Sequence, residues 1–159
     1  MKKLINRFKE PIYKDDLLYV IRNGLIMAIL MGFIAGILNY LTSRFLNIEI
    51  IFCTIMIGIF IPIKIKDAYY NYHILYSILS VLFAYLALAI AYVTKIVFFS
   101  YDLMEFGVFS WNLFKTGLLE LYYRIKMLFV MSDGFIDNLL DLIIIITTLF
   151  LSYKMSKKD

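Results

Sequence analysis

Residues 23–43 read NGLIMAILMGFIAGILNYLTS, twenty-one residues without a formal charge between Arg22 and Arg44. At about 1.5 Å per residue, a helix of this length covers the roughly 30 Å hydrocarbon core of a bilayer. Gly24, Ala28, Gly32 and Gly36 recur every four residues. On a helix they line one face and form a groove into which another backbone can settle, the usual basis of helix association in lipid. The stretch predicts a membrane protein packed around its first helix.

Working outward, composition agrees. Of 159 residues, 63% are hydrophobic and 18% aromatic, and mean hydropathy is +0.84. Soluble domains are nearer 45–50% apolar, so a water-soluble fold is excluded as the expectation. The richness in Ile and Lys suggests an AT-rich bacterial genome. Net charge is +4 with the cations gathered toward the termini. That pattern fits retention of flanking segments in the cytoplasm better than nucleic-acid binding. Cys53 is the only cysteine, so neither an intrachain disulfide nor a cysteine metal cluster is available.

Residues 1–22 read as a basic amphipathic cytoplasmic segment, with Pro11 splitting it and Asp15 or Asp16 starting a helix that runs into the first span. Further spans are expected at about 46–63, 73–95 and 134–153, so the membrane domain occupies 23–153 and 154–159 form a cytoplasmic tail. Tyr69, Tyr70 and Tyr72 suggest an interfacial aromatic belt at the start of the third span. Within that span Ser77, Ser80, Ala84, Ala87, Ala91 and Thr94 alternate spacings of three and four, a second small-residue seam. Residues 102–131 are apolar but interrupted by charges. They predict interfacial amphipathic helices with Trp111 as a headgroup anchor; a re-entrant hairpin bending at Gly107 or Gly117 is the alternative. The fold class expected is therefore all-α: a polytopic four-helix transmembrane bundle with a long interfacial connection between its third and fourth spans.

Lys and Arg counts orient it. The N-terminal tail, the second-to-third connection and the C-terminal tail hold eleven, against five in the other two loops. Both termini are thus expected in the cytoplasm, with the plasma membrane as the default location.

Charge inside the spans is the remaining signal. Asp133, Asp137 and Asp141 are four apart, and Thr148 and Ser152 continue their face. An acid inside a span must be paired, hydrated or protonated, so Asp141 should face the other helices. The predicted topology gathers Arg44, Glu49, Lys95, Asp137 and Asp141 near the outer leaflet. Their simplest role is an ion-paired latch; a cation or proton site is the functional alternative. His73, the only histidine, reads as an interfacial hydrogen-bonder, and Cys53 as a packing residue. No nucleophile–base grouping, metal-spaced cluster or phosphate loop stands in the sequence. No enzyme activity, cofactor or metal is expected.

The expectation for function is a subunit or accessory protein of a membrane complex, or a homo-oligomer, assembled through small-residue faces. Its partners would be the lipid bilayer and other membrane chains, not nucleic acid. A small ion or proton channel or transporter built on Asp137 and Asp141 is the alternative. A holin or bacteriocin-immunity protein is a third.

Overall fold

The computed structural model describes residues 12–46, 51–102, 111–119, 122–123, 125–126 and 135–157. Among these the chain is almost wholly helical and contains no strand. The elements are α1 (Lys14–Leu46), α2 (Ile51–Lys66), α3 (Ile74–Asp102), α4 (Trp111–Leu118) and α5 (Phe135–Met155).

α1 is longer than the apolar stretch that announced it. Asp15 and Asp16 sit in its first turn and Arg44 in its last, each sign matching the helix dipole. The residues before Asn23 from Lys14 onward therefore belong to the same helix. α2 keeps Pro62 inside its last turns and ends on Lys64 and Lys66. α3 runs a further two turns past Lys95 to Asp102. Its start is capped by His73, whose Nδ1 accepts a hydrogen bond from the Leu75 amide at 3.1 Å.

α1 and α3 are long and apolar enough to cross a membrane. Their surroundings differ. In the most apolar window of α1, 28% is buried inside the molecule, against 56% for α3. α3 touches α1, α2, α4 and α5, so it, not the first helix, is the centre. The reason is visible in its side chains. Small residues occupy more than one face of α3: Ala84, Ala87 and Ala91 on one, Ser80 on a second, Ala89 on a third. α1 has a single small face and leaves Leu25, Ile29, Phe33 and Leu41 exposed.

Contacts fix the helix directions. Rising numbers on α1 meet rising numbers on α3 (Gly24 with Phe83, Gly32 with Ala87, Gly36 with Ala91), so these two run parallel. Ser80, near the start of α3, meets Ser152, near the end of α5, so those two are antiparallel. α2 presents Cys53, Ile57, Ile61 and Ile65, four apart, to the core. Gly58 brings it against the Thr148 carbonyl of α5.

α4, inside the stretch 102–131, lies lengthwise against α3. Gly117 sits over the Ala89 carbonyl and Val93, and the Tyr85 hydroxyl donates to the Leu118 carbonyl. Gly117 is thus a point of close approach.

Candidate functional site

The small-residue stripes meet each other. A Cβ built on Gly32 would lie 2.6 Å from the Ala87 carbonyl oxygen and 2.8 Å from Ile90 Cβ. On Gly36 it would lie 2.5 Å from Thr94 Cβ and 2.7 Å from the Ala91 carbonyl oxygen. At Gly24 the obstacle is the Phe83 ring. Ala28, Ala84 and Ala87 are fully buried and Ala91 nearly so. The groove of α1 is therefore filled by α3 of the same chain, and these residues present no open surface to a partner.

Ser77 and Ser80 take a different direction. Ser77 Oγ shares a hydrogen bond with the Tyr72 hydroxyl at 3.0 Å. Ser80 and Ser152 form a reciprocal clasp. Their hydroxyls are 2.7 Å apart, Ser152 Oγ donates to the Ser80 carbonyl at 3.0 Å, and Ser80 Oγ reaches the Ser152 carbonyl at 3.3 Å. All four atoms are inaccessible to solvent in fully buried residues. Thr148, Ser152 and Ser156 continue this face of α5 at spacings of four, and Tyr69 donates to the Ser156 carbonyl at 2.5 Å. Hydroxyl-to-carbonyl bonds tie α5 to α3 and to the α2–α3 turn, in a region where unpaired polar groups are costly.

That turn gathers more polar groups than the sequence suggested. Tyr69 and Tyr76 stack at 4.8 Å and both are buried; of the three tyrosines read as a belt, Tyr70 is 90% exposed and Tyr72 half-buried. The Tyr70 amide donates to the buried Asp16 carboxylate at 3.3 Å, pinning the start of α1 to the turn. His73 is buried beside Tyr76, with 6.0 Å between rings. Its Nδ1 acts as acceptor, so the neutral ring carries its proton on Nε2. Nε2 has no hydrogen-bond partner among the described residues. His73 is thus a buried residue that hydrogen-bonds at the start of α3.

The charged group expected at the opposite end is described in part. Glu49 lies outside the described residues, as does the side chain of Asp137. Arg44 is exposed in the last turn of α1, while Lys95 and Asp141 are half-buried in α3 and α5, and each of the three is engaged by a neighbour. The Lys95 ammonium also stands 6.0 Å from the Phe99 ring centre, and Tyr40 packs edge-on against that ring at 5.1 Å. The Ser80–Ser152 register sets Asp141 level with Ala91, roughly 6 Å along the axis from Lys95. Asp141 lies one turn before buried Ile145, so it extends the inward stripe of α5, while Leu140, Ile143 and Ile146 point out. On α1, Asn39 Oδ1 and Ser43 Oγ are buried without a hydrogen-bond partner among the described residues.

On the outside, α1, α3 and α4 enclose an apolar groove of about 470 Å³. Leu25, Ile29 and Phe33 form one wall, Ile90 and Val97 the floor, and Phe114 closes one side. The signals that would have found this arrangement are Tyr85, Ala89 and Val93, four apart on α3, and Ser156 in step with Thr148 and Ser152. The chain matches no family model, no curated protein and no solved structure.

Proposed function

We propose that this chain is a non-enzymatic, multi-pass protein of the plasma membrane that serves as a subunit or accessory protein of a larger membrane assembly. In this reading α1, α2, α3 and α5 are the four spans and both termini face the cytoplasm. Supporting it, the end carrying the starts of α1 and α3 and the ends of α2 and α5 also carries Lys14, Lys64, Lys66, Lys154 and Lys157. Cations of this kind stay on the cytoplasmic side.

The observation that carries the assembly reading is the groove beside α1. The glycine face of α1 is spent on α3, but Leu25, Ile29 and Phe33 remain exposed on a helix that is only 28% buried in its apolar window. A membrane-embedded helix of another chain, or of a second copy, would lie along this wall with Phe114 at its side. The test is a photo-reactive amino acid at Ile29 or Phe33 in living cells. A discrete higher-mass adduct at these positions, absent for outward Ile146 on α5, is expected. Monomeric migration in native detergent gels together with no adduct at either position would refute it. Gly32→Leu is not a useful probe of assembly, because it disturbs the α1–α3 contact inside the chain.

A second reading, a cation or proton conductor, is favoured by one observation. Toward the end of the bundle that also holds Asp141 and Lys95, Asn39 Oδ1 and Ser43 Oγ are buried without a hydrogen-bond partner among the described residues. An Asp141-dependent flux in proteoliposomes, lost in Asp141→Asn, would establish it, and no flux under any pH or cation gradient would end it. Against it stands the Ser80–Ser152 clasp, in which the two fully buried hydroxyls bond to each other and to the carbonyls of both residues. Such a pair stitches the two helices together.

A further inference from the structure

We propose that α4 is a re-entrant strap. It enters the membrane from the side where α3 ends, descends along α3 to about mid-depth, and returns to the same side before α5 begins. The inference rests on the reading that α3 crosses the bilayer, and three observations carry it.

The first is direction. Phe114 shares the groove with Ile90, Val93 and Val97. Gly117 lies over Ala89 and Val93, and Leu118 meets Tyr85. As numbers rise on α4 they fall on α3, so α4 points from the C-terminal end of α3 back toward its middle. The second is depth. Tyr85 is eleven residues after Ile74 and seventeen before Asp102, hence roughly 16 Å and 25 Å from the two ends of α3. The third is the return. Ser152 is level with Ser80, and Phe135 lies seventeen residues earlier on α5, so α5 starts roughly 25 Å further up, near Val97. The chain leaves α3 at one end, visits its middle at Leu118, and is back at that end by Phe135.

The chemistry suits such a visit. A helix that stops inside hydrocarbon leaves its last carbonyls without intrahelical partners. Irregular backbone survives there only when it is buried in protein and its polar groups are satisfied. The Tyr85 hydroxyl supplies a donor to the Leu118 carbonyl. Gly117 has no side chain, so the α4 backbone can reach the α3 backbone at Ala89, where a Cβ would come within 2.9 Å of the carbonyl oxygen. Lys115 is exposed, and helical side chains lean toward their own N-terminus, which on α4 is the direction of the nearer membrane face. The strap also explains why the groove has a third wall: Phe114 hangs from it.

The experiment uses the full chain in proteoliposomes, with Cys53→Ala as background. Single cysteines at Asn112, Leu119 and Leu82 carry an environment-sensitive fluorophore. Nitroxide lipids labelled either at the headgroup or deep in the acyl chain quench it. The expected result is that Leu119→Cys is quenched more by the deep nitroxide and Asn112→Cys more by the shallow one. Equal, shallow quenching at both sites would overturn the strap and leave an interfacial helix. Leu82, exposed near the middle of α3, reports separately on the membrane reading. If Leu82→Cys also answers only to aqueous quenchers, it is the spanning of α3 that fails. Adding Tyr85→Phe should shift Leu119→Cys toward shallow quenching; an unmoved ratio overturns the anchoring role given to Tyr85.

Discussion

Adding one methyl group to each of two glycines of α1 should cost less in the double variant than the single variants suggest. At Gly32 the new Cβ would meet the Ala87 carbonyl oxygen at 2.6 Å, and at Gly36 the Ala91 carbonyl oxygen at 2.7 Å. Ordinary contact lies near 3.5 Å, so either variant requires α1 and α3 to separate locally by roughly 0.9 Å. Both obstacles are backbone, which cannot rotate away. A gap of that size forfeits about a quarter to a half of each dispersion contact across the seam, and overpacking of this kind costs about 1–3 kcal/mol. Replacing glycine by alanine in a helix returns about 1 kcal/mol per site, so each single variant should be destabilised by about 0–2 kcal/mol. The same displacement relieves both clashes. The double variant therefore pays the separation once, and its loss should fall short of the summed single losses by about 1–3 kcal/mol. Gly24→Ala serves as the control. Its obstacle is the edge of the Phe83 ring, which can swing, so its cost should be smaller than at Gly32 or Gly36. The assay is reversible unfolding in mixed micelles of SDS and a mild detergent, followed by helical circular dichroism. Additive losses, or a Gly24→Ala variant as costly as the others, would refute the shared-seam argument.

Other predictions follow from the polar stitching. Ser80→Ala and Ser152→Ala should each destabilise by about 1 kcal/mol, and the double variant by scarcely more, because the clasp is lost once either hydroxyl goes; additive losses in the same unfolding assay would refute the pairing. In a Cys53→Ala background, Ser80→Cys with Ser152→Cys should form an intrachain disulfide under mild oxidation, read as a shift in non-reducing electrophoresis. Cys53 itself is buried on α2 and should resist maleimide in the folded protein while reacting after SDS unfolding. Tyr69→Phe removes the donor to the Ser156 carbonyl and should expose the end of α5 to protease cleavage near Lys154 before any global loss of helix.

How far the sequence could be read depended on whether the deciding interaction is local. The helices were legible because apolar length and spacing are properties of single segments. The four-residue repeat on α1 and the mixed repeat on α3 marked the two faces that meet, since only small side chains permit backbone contact. Which helix would be central was not legible in the same way. Ala89, flanked by Tyr85 and Val93, sits on a third face of α3 that one-seam counting discards, yet it receives α4. Tyr69 looked like a belt residue, with Tyr70 and Tyr72, because tyrosines near a span's start usually are. Its burial depends on the α2–α3 turn folding over the end of α5, a contact 87 residues apart in sequence between Tyr69 and Ser156. The charged group was half legible. The spacing of Asp141 with Thr148 and Ser152 places them on one face of α5, but no pattern in the chain announces that the hydroxyls on it bond to carbonyls.

That distinction decides where function should be sought. A hydroxyl-lined interior invites a transport reading, but the reading needs protons free to move. Along α5 the buried hydroxyls at Ser152 and Ser156 have carbonyl partners, and Thr148 Oγ1 reaches toward the Thr54 carbonyl at 3.5 Å. The interior near the cytoplasmic end of the proposed topology is closed by its own bonds. What remains unspent is the outer wall of α1 and the short helix beside it. A chain that commits its glycines and serines to holding itself together, while leaving Leu25, Ile29 and Phe33 uncovered, has its adaptable surface on that wall. The search for a partner should therefore begin there, with cross-linkers at the apolar wall, before any search for a transported ion.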